Sequence, residues 1–127
     1  MIEENLVLTS TTIRQISIYH FINEMNKLNW NNIEIETSIM PRKDLKSPIT
    51  KKLNYIPKKI RKFIDTFETR VESMSISGTI DGCQINLTVL IDKNQVKWIE
   101  INFKAEKKAN LESNLKKFNS FLRKDKS

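Results

Sequence analysis

Two alternating runs of residues on either side of Asp81-Gly82 constrain the fold of this chain more than any other feature. In MSISGTI, residues 74–80, the even positions are apolar except Gly78, and in CQINLTVLI, residues 83–91, the odd positions are apolar. This alternation is typical of a strand with one buried face, and Asp-Gly favours a two-residue hairpin turn. Such a turn pairs residue 80 with residue 83, so both apolar sets fall on one face of the hairpin.

A third strand extends this hairpin. In WIEINFKA, residues 98–105, the odd positions are again apolar. Pairing Val89 with Ile99 keeps the apolar face continuous across the second and third strands. The sequence therefore predicts a three-stranded antiparallel meander.

The remaining elements are predicted from capping signals and from helical or strand periodicity. Thr12 and Gln15 match a capping box, so we expect a helix to begin at Thr12. The other predictions are a short strand over 6–8, a half-buried strand over 33–39, a long loop over 40–56, a helix beginning at Pro57 and a helix over about 106–122.

Together these elements predict an α+β fold. We expect a three- to four-stranded antiparallel sheet with about three helices packed mainly on one face. A chain of 127 residues has the size of one ordinary domain, so we expect a single compact domain over residues 1–127 with a frayed basic tail from about residue 123. Many folds share this order of elements, and it identifies no family.

Composition predicts a soluble, globular protein. Hydrophobic residues make up 39% of the chain and charged residues 29%. No apolar run approaches the roughly 18 residues that a membrane helix needs, and the start MIEENLVL lacks the basic segment of a secretory signal. We therefore expect a cytoplasmic protein without membrane contact. The lone Cys83 excludes an internal disulfide.

The positive charge is concentrated in two blocks. The net charge is +7, and residues 41–62 hold nine of the 22 basic residues but only one of the 15 acidic residues. Residues 104–127 form the second basic block. An AT-rich genome, indicated by the many Lys, Asn and Ile residues, would explain the total charge but not its confinement to two blocks.

The stretch KKLNYIPKKIRK, residues 51–62, is the strongest candidate binding site in the sequence. Four of its cations occupy the first turns of the helix predicted from Pro57, where the helix dipole makes cations mildly unfavourable. A phosphate there would meet backbone N–H groups, the dipole and the cations together. The alternative is an ordinary solvated basic surface. The candidate contacts are Lys51, Lys52, Lys58, Lys59, Arg61 and Lys62 for phosphates, with Tyr55 for stacking on a base.

The second candidate surface is the outer face of the meander. It is polar and nearly uncharged, and Trp98 lies opposite Leu90 at one end in the expected register. A solvated face with these two residues covered would explain this pattern. The alternative is a contact platform that uses Trp98, because tryptophan is enriched where partners bind.

No catalytic or metal-binding pattern accompanies these surfaces. His20 precedes Glu24 by four residues and is explained by a pair on a helix surface. Cys83 begins a strand on the apolar face, which favours a buried thiol. We predict no metal and no cofactor, and we do not expect an enzyme.

The sequence favours a small basic non-enzymatic binding protein that contacts nucleic acid. An alternative is a protein inhibitor, or an immunity or anti-defence protein of a mobile element, that binds an acidic protein surface. A second alternative is a metal-independent ribonuclease, because phosphate chemistry can depend on positioning and charge alone. An exposed sheet edge would also allow a homodimer.

Overall fold

The structure is a computed structural model that describes residues 1–41, 49–53, 55 and 69–124. Within these residues, six strands form one antiparallel sheet in the order β1-β6-β5-β4-β2-β3, and two helices accompany it. The elements are β1 Ile2–Leu8, α1 Ile18–Asn26, β2 Asn31–Pro41, β3 Ile49–Leu53, β4 Thr69–Ile80, β5 Cys83–Asp92, β6 Gln95–Ala105 and α2 Lys108–Leu122.

The predicted meander is confirmed as β4, β5 and β6. Ile80 pairs with Cys83 and Val89 pairs with Ile99, as the alternation requires. Asp81 and Gly82 both have positive φ angles, 46° and 74°. Two central residues with positive φ form the hairpin turn whose twist matches that of the flanking strands.

The turn between β5 and β6 has the same form and also holds the first helix. Lys93 and Asn94 have φ angles of 51° and 61°, and Asp92 pairs with Gln95 across the turn. The carbonyl of Asn94 accepts a hydrogen bond of 2.8 Å from the backbone N–H of Ile18, the first residue of α1. The position of α1 on the sheet is therefore tied to this turn.

The hydrophobic core lies between the two helices and one face of the sheet. Helix α1 buries Ile18, Phe21, Ile22 and Met25, and α2 buries Leu111, Phe118 and Leu122. The rings of Phe103 on β6 and Phe118 on α2 meet edge to face, with their centroids 5.8 Å apart. The buried residues of the strands and both helices form a single cluster.

The prediction of three to four strands and about three helices is wrong. The described sheet has six strands, and the described residues contain two helices. Residues 49–53, predicted within a loop, form β3, which pairs with β2. In its sequence ITKKL, Lys51 interrupts the apolar alternation between Ile49 and Leu53, so periodicity gives no strand signal. The helix predicted from Pro57 lies outside the described residues.

The first helix begins later than predicted, at Ile18 rather than Thr12. The side chain of Thr12 instead closes a local turn, where its Oγ1 accepts a hydrogen bond of 2.8 Å from the N–H of Thr9. Ser17 is the N-cap, and its Oγ accepts a hydrogen bond of 3.1 Å from the N–H of His20. The segment between Thr12 and Ser17 is held by pairing with other elements, which competes with helix formation.

The first two residues of the predicted basic tail have backbone contacts. Arg123 forms a bridge with Ile13, and the N–H of Lys124 donates to the carbonyl of Thr12 at 2.8 Å. The chain after α2 is therefore fixed to the segment that precedes α1. Residues 125–127 of the predicted tail lie outside the described part of the chain.

Gly78 allows Trp30 to pack closely on β4. A Cβ added at Gly78 would lie 2.8 Å from Cε3 of Trp30 and 3.1 Å from the carbonyl oxygen of Asn31. The indole N–H of Trp30 donates to the carbonyl of Met25 at 3.0 Å, which fixes the ring against the end of α1. The glycine that interrupts the apolar alternation of β4 thus accommodates an aromatic ring.

Replacement of Ser17 tests the position of the helix start. We expect Ser17→Ala to lower the free energy of unfolding by about 1 kcal/mol, because the N–H of His20 loses its cap. Gln15→Ala is the matched control, since the predicted capping box would require Gln15 and the observed cap does not. Urea unfolding followed by circular dichroism measures both, and an equal loss in the control would contradict the Ser17 cap.

Replacement of Gly78 tests the packing of Trp30. We expect Gly78→Ala to destabilise the protein by about 1–3 kcal/mol, because the added methyl group has no space beside a ring that cannot withdraw. The control is Ser75→Ala on the exposed face of the same strand, for which a change within about 0.5 kcal/mol is expected. A Gly78→Ala protein as stable as the wild type would show that Trp30 does not pack as described.

Candidate functional site

The structure describes only part of the candidate site predicted between residues 51 and 62. Lys51 and Lys52 belong to β3, which is an edge strand of the described sheet. The register places Lys51 opposite Thr37 and Lys52 opposite Glu36. Tyr55 is exposed, with 55% of its surface accessible.

The other four cations of the predicted site, Lys58, Lys59, Arg61 and Lys62, lie outside the described residues. The structure therefore does not test whether they meet at a helix start. Their role as a phosphate-binding group stays a prediction.

The open face of the sheet has the polar character that the sequence predicts. Asn102 donates from its side-chain amide to Glu3 at 2.7 Å and to Asn5 at 2.8 Å. Hydroxyl oxygens of Ser75 and Thr88 lie 3.4 Å apart across β4 and β5. Because these polar groups bond to one another, a solvated face explains most of this surface.

An apolar pair lies at one end of the open face. Trp98 is paired with Leu90 across β5 and β6, as predicted. Leu90 is 47% exposed, and Trp98 is half-buried. Val7 on β1 is also 47% exposed and pairs with Glu100, two residues along β6 from Trp98.

The open face of the sheet carries charges of both signs. The acidic side chains Glu34, Glu36 and Glu100 are exposed on strands of this face, and the register places each of them in line with its outward polar positions. Glu100 is two residues from Trp98 on β6, whereas Glu34 and Glu36 lie on β2, three strands away. Lys104 adds a cation to the same outward positions of β6.

A cleft at the end of the fold forms a second basic site that the sequence did not predict. Its volume is about 250 Å³. The residues that line it are Ser10, Ile13, Arg14, Gln15, Gln95, Val96, Lys97 and Lys124. We call this site the cationic cleft. Three of these residues are cationic, and no lining residue is acidic.

Backbone pairing explains why residues so distant in sequence meet in the cationic cleft. The segment before α1 is joined on one side to the end of α2, where the N–H of Arg14 donates to the carbonyl of Leu122 at 2.8 Å. On its other side, the N–H of Val96 at the start of β6 donates to the carbonyl of Ile16 at 3.0 Å. These bonds bring Arg14, Lys97 and Lys124 to one place.

The side chain of Arg14 is oriented by Phe121 in α2. One guanidinium nitrogen, Nη1, donates to the carbonyl of Phe121 at 3.3 Å. The guanidinium carbon lies 5.9 Å from the centroid of the Phe121 ring, within the range of a cation–π interaction. An arginine has five N–H donors, so this contact leaves donors available for a ligand.

The cations of the cationic cleft are not neutralised by the described carboxylates. Ion pairs among the described residues join Glu24 to Lys27 at 2.9 Å, Glu112 to Lys108 at 3.7 Å and Asp81 to Lys117 at 3.8 Å. None of these pairs involves a lysine or arginine of the cationic cleft. Within the described part of the chain, the cations of the cationic cleft therefore have no carboxylate to compete with an anion.

Sequence reasoning missed the cationic cleft because its cations come from three separate segments. Arg14 and Lys97 lie outside both basic blocks, and Lys124 is explained by its position after a helix. No spacing between these residues indicates a site, because the chain segments that hold them are joined by backbone pairing rather than by sequence proximity.

His20 forms the helix-surface pair with Glu24 that the sequence predicts. Its Nε2 lies 3.9 Å from a carboxylate oxygen of Glu24 in the next turn of α1. The His20 ring also stacks on Phe121, with centroids 6.1 Å apart.

In the parts of the chain that the structure covers, no helix is both long enough and apolar enough to span a membrane.

Comparison with known proteins gives no functional assignment. No family model matches the sequence, and no curated protein matches it. Among solved structures, the chain is similar to that of the PH1819 protein from Pyrococcus horikoshii OT3. The two share 13% sequence identity over 94% of this chain and 87% of the other, with a TM-score of 0.29, and a similarity this low carries no functional argument.

Cys83 is predicted to be buried, and the structure confirms it, with none of its surface accessible. Burial raises the pKa of the Cys83 thiol, although a backbone hydrogen bond from Lys104 opposes the shift. We expect iodoacetamide to alkylate the folded protein at pH 8 far more slowly than the urea-unfolded protein, because the thiolate is the nucleophile. Mass spectrometry measures both rates, and equal rates would contradict the burial of Cys83.

Proposed function

We propose that this chain is a small basic binding protein without catalytic activity that contacts nucleic acid through its Lys51–Lys62 segment. The observation that carries the proposal is the place of β3 in the sheet. As an edge strand of the sheet that the described residues form, β3 brings Lys51 and Lys52, the first cations of this segment, to a border of that sheet. An edge strand lacks a neighbour on one side, so a partner can approach it.

The exposed Tyr55 supports contact with bases or sugars. It lies two residues after β3, and 55% of its surface is accessible. An exposed aromatic ring beside lysines is the combination that binds single-stranded nucleic acid, where stacking contributes about 1–3 kcal/mol per base. The composition of the segment, with six cations and no acid between residues 51 and 62, supplies the electrostatic attraction.

The open face of the sheet favours a second proposal, in which the partner is a protein. Leu90, Val7 and Trp98 expose apolar surface beside carboxylates, and tryptophan is enriched at protein interfaces. An inhibitor or immunity protein of a mobile element could dock through this apolar pair, or it could place the basic segment against an acidic protein surface. The ribonuclease alternative has no specific contact among the described residues in its favour.

Removing four cations from the predicted phosphate-binding group tests the first proposal. The variant carries Gln in place of Lys58, Lys59, Arg61 and Lys62. Fluorescence anisotropy measures its binding to DNA and RNA oligonucleotides between about 50 and 200 mM salt. We expect weaker binding and a salt dependence whose logarithmic slope falls by about 3–4 for duplex DNA, because about four phosphate contacts are lost.

The matched control removes the same charge from another place. The control variant carries Gln in place of four lysines of the α2 region, Lys107, Lys108, Lys116 and Lys117. Equal losses in both variants would show that net charge, rather than the Lys51–Lys62 segment, governs binding. Absence of binding by the wild-type protein at low salt would reject the proposal entirely.

A pull-down from nuclease-treated host lysate separates the nucleic-acid proposal from the protein proposal. A partner that survives nuclease and is lost in a Trp98→Ala, Leu90→Ala variant favours the protein partner. The ribonuclease alternative is rejected if the purified protein leaves RNA intact.

A further inference from the structure

We propose that the cationic cleft is a binding site for a phosphate group, with Arg14, Lys97 and Lys124 as its charged contacts. The site lies at the junction of the segment before α1, the start of β6 and the end of α2. It is separate from the Lys51–Lys62 segment. Phosphate binding there does not require that the protein bind nucleic acid through that segment.

The charge of the cleft selects for an anion. Its lining includes three cations and no acid, and these cations form no ion pair with a carboxylate among the described residues. Hydrogen bonds between ionised donors and phosphate oxygens are shorter and stronger than those between neutral groups. A dianionic phosphate would be stabilised more than a singly charged carboxylate, because each of the three cations interacts with both of its charges.

The donors of the cleft also suit the several oxygens of a phosphate. Arg14 lines the cleft, and its guanidinium has N–H donors beyond the one that bonds to the Phe121 carbonyl. Gln15 and Gln95 add amide groups, and Ser10 adds a hydroxyl. Such neutral donors complete the hydrogen bonding of an oxyanion whose charge is balanced by lysine and arginine.

The size and the floor of the cleft restrict the ligand. Its volume of about 250 Å³ is below the roughly 300–1,000 Å³ of pockets that enclose drug-sized molecules. Its floor is apolar, because the lining residues Ile13 and Val96 are 6% and 2% exposed. The space is sufficient for a phosphate with part of its ester substituent, either from a free nucleotide or from a nucleic-acid strand.

The helix dipole at the end of α2 is a competing explanation for the presence of Arg14 and Lys124. Cations near the last turn of a helix stabilise it through the helix dipole. The N–H of Arg14 donates to the carbonyl of Leu122 in that turn, and Lys124 follows the helix by two residues. This explanation does not extend to Lys97, which comes from β6. It also predicts that removing Lys124 affects thermal stability whether or not phosphate is present, which an experiment can separate from binding.

The experiment compares the full chain with two doubly substituted proteins. Lys97→Gln with Lys124→Gln removes two charges from the cleft, and Lys108→Gln with Lys116→Gln removes two exposed charges from α2. Isothermal titration with inorganic phosphate measures affinity. Thermal unfolding is recorded in phosphate and in chloride at matched ionic strength, and anisotropy compares oligonucleotides with and without a 5′-phosphate.

We expect phosphate, but not chloride, to raise the unfolding temperature of the wild-type protein and of the control. In the cleft variant the affinity for phosphate should fall about tenfold or more, as expected from the loss of charged hydrogen bonds. If only the oligonucleotides lose affinity in the cleft variant, the phosphate comes from a nucleic-acid strand.

The proposal is overturned if neither inorganic phosphate nor the oligonucleotides lose more affinity in the cleft variant than in the control. It is also overturned if the cleft variant differs from the wild type only in its unfolding temperature without phosphate, because a structural role at the helix end would then suffice. Neither result bears on the Lys51–Lys62 segment, which the four-cation variant of that segment tests separately.

Discussion

The register of β4, β5 and β6 is the constraint on which the rest of the structure depends. Because side chains alternate between the faces of a strand, a slip of one residue would move every core side chain of these strands into solvent. The Asp81-Gly82 turn prevents such a slip, since its two positive φ angles fit a two-residue connection and no other length. With this register fixed, β6 presents one edge to β1 and one apolar face to both helices.

The start of β6 also fixes the position of the cationic cleft. Its backbone holds the segment before α1, and that segment in turn holds the residues that follow α2. Cations of three segments meet at this junction, whereas several exposed carboxylates lie on the open face of the sheet.

The parts of the fold that depend on local chemistry could be predicted, and those that depend on pairing between distant segments could not. The meander and its register follow from periodicity and a turn sequence. β3 was missed because backbone pairing with β2 holds it despite Lys51. The start of α1 was misplaced because Thr12 has the composition of a cap but is used in a turn. The cationic cleft was missed for a related reason, since only tertiary backbone bonds bring Arg14 and Lys97 together.

The position of the cationic cleft explains how a stable fold can keep cations that have no acidic partner among the described residues. Like charges in proximity repel one another, so a cluster of three cations lowers stability unless something offsets it. The carbonyl groups at the end of α2 supply part of that offset, because the Phe121 carbonyl accepts from Arg14 and the helix dipole is negative there. Lys97 receives no such compensation from its strand. Lys97 is exposed to solvent, so water and salt screen its repulsion from the other two cations, and the fold tolerates it without a compensating contact.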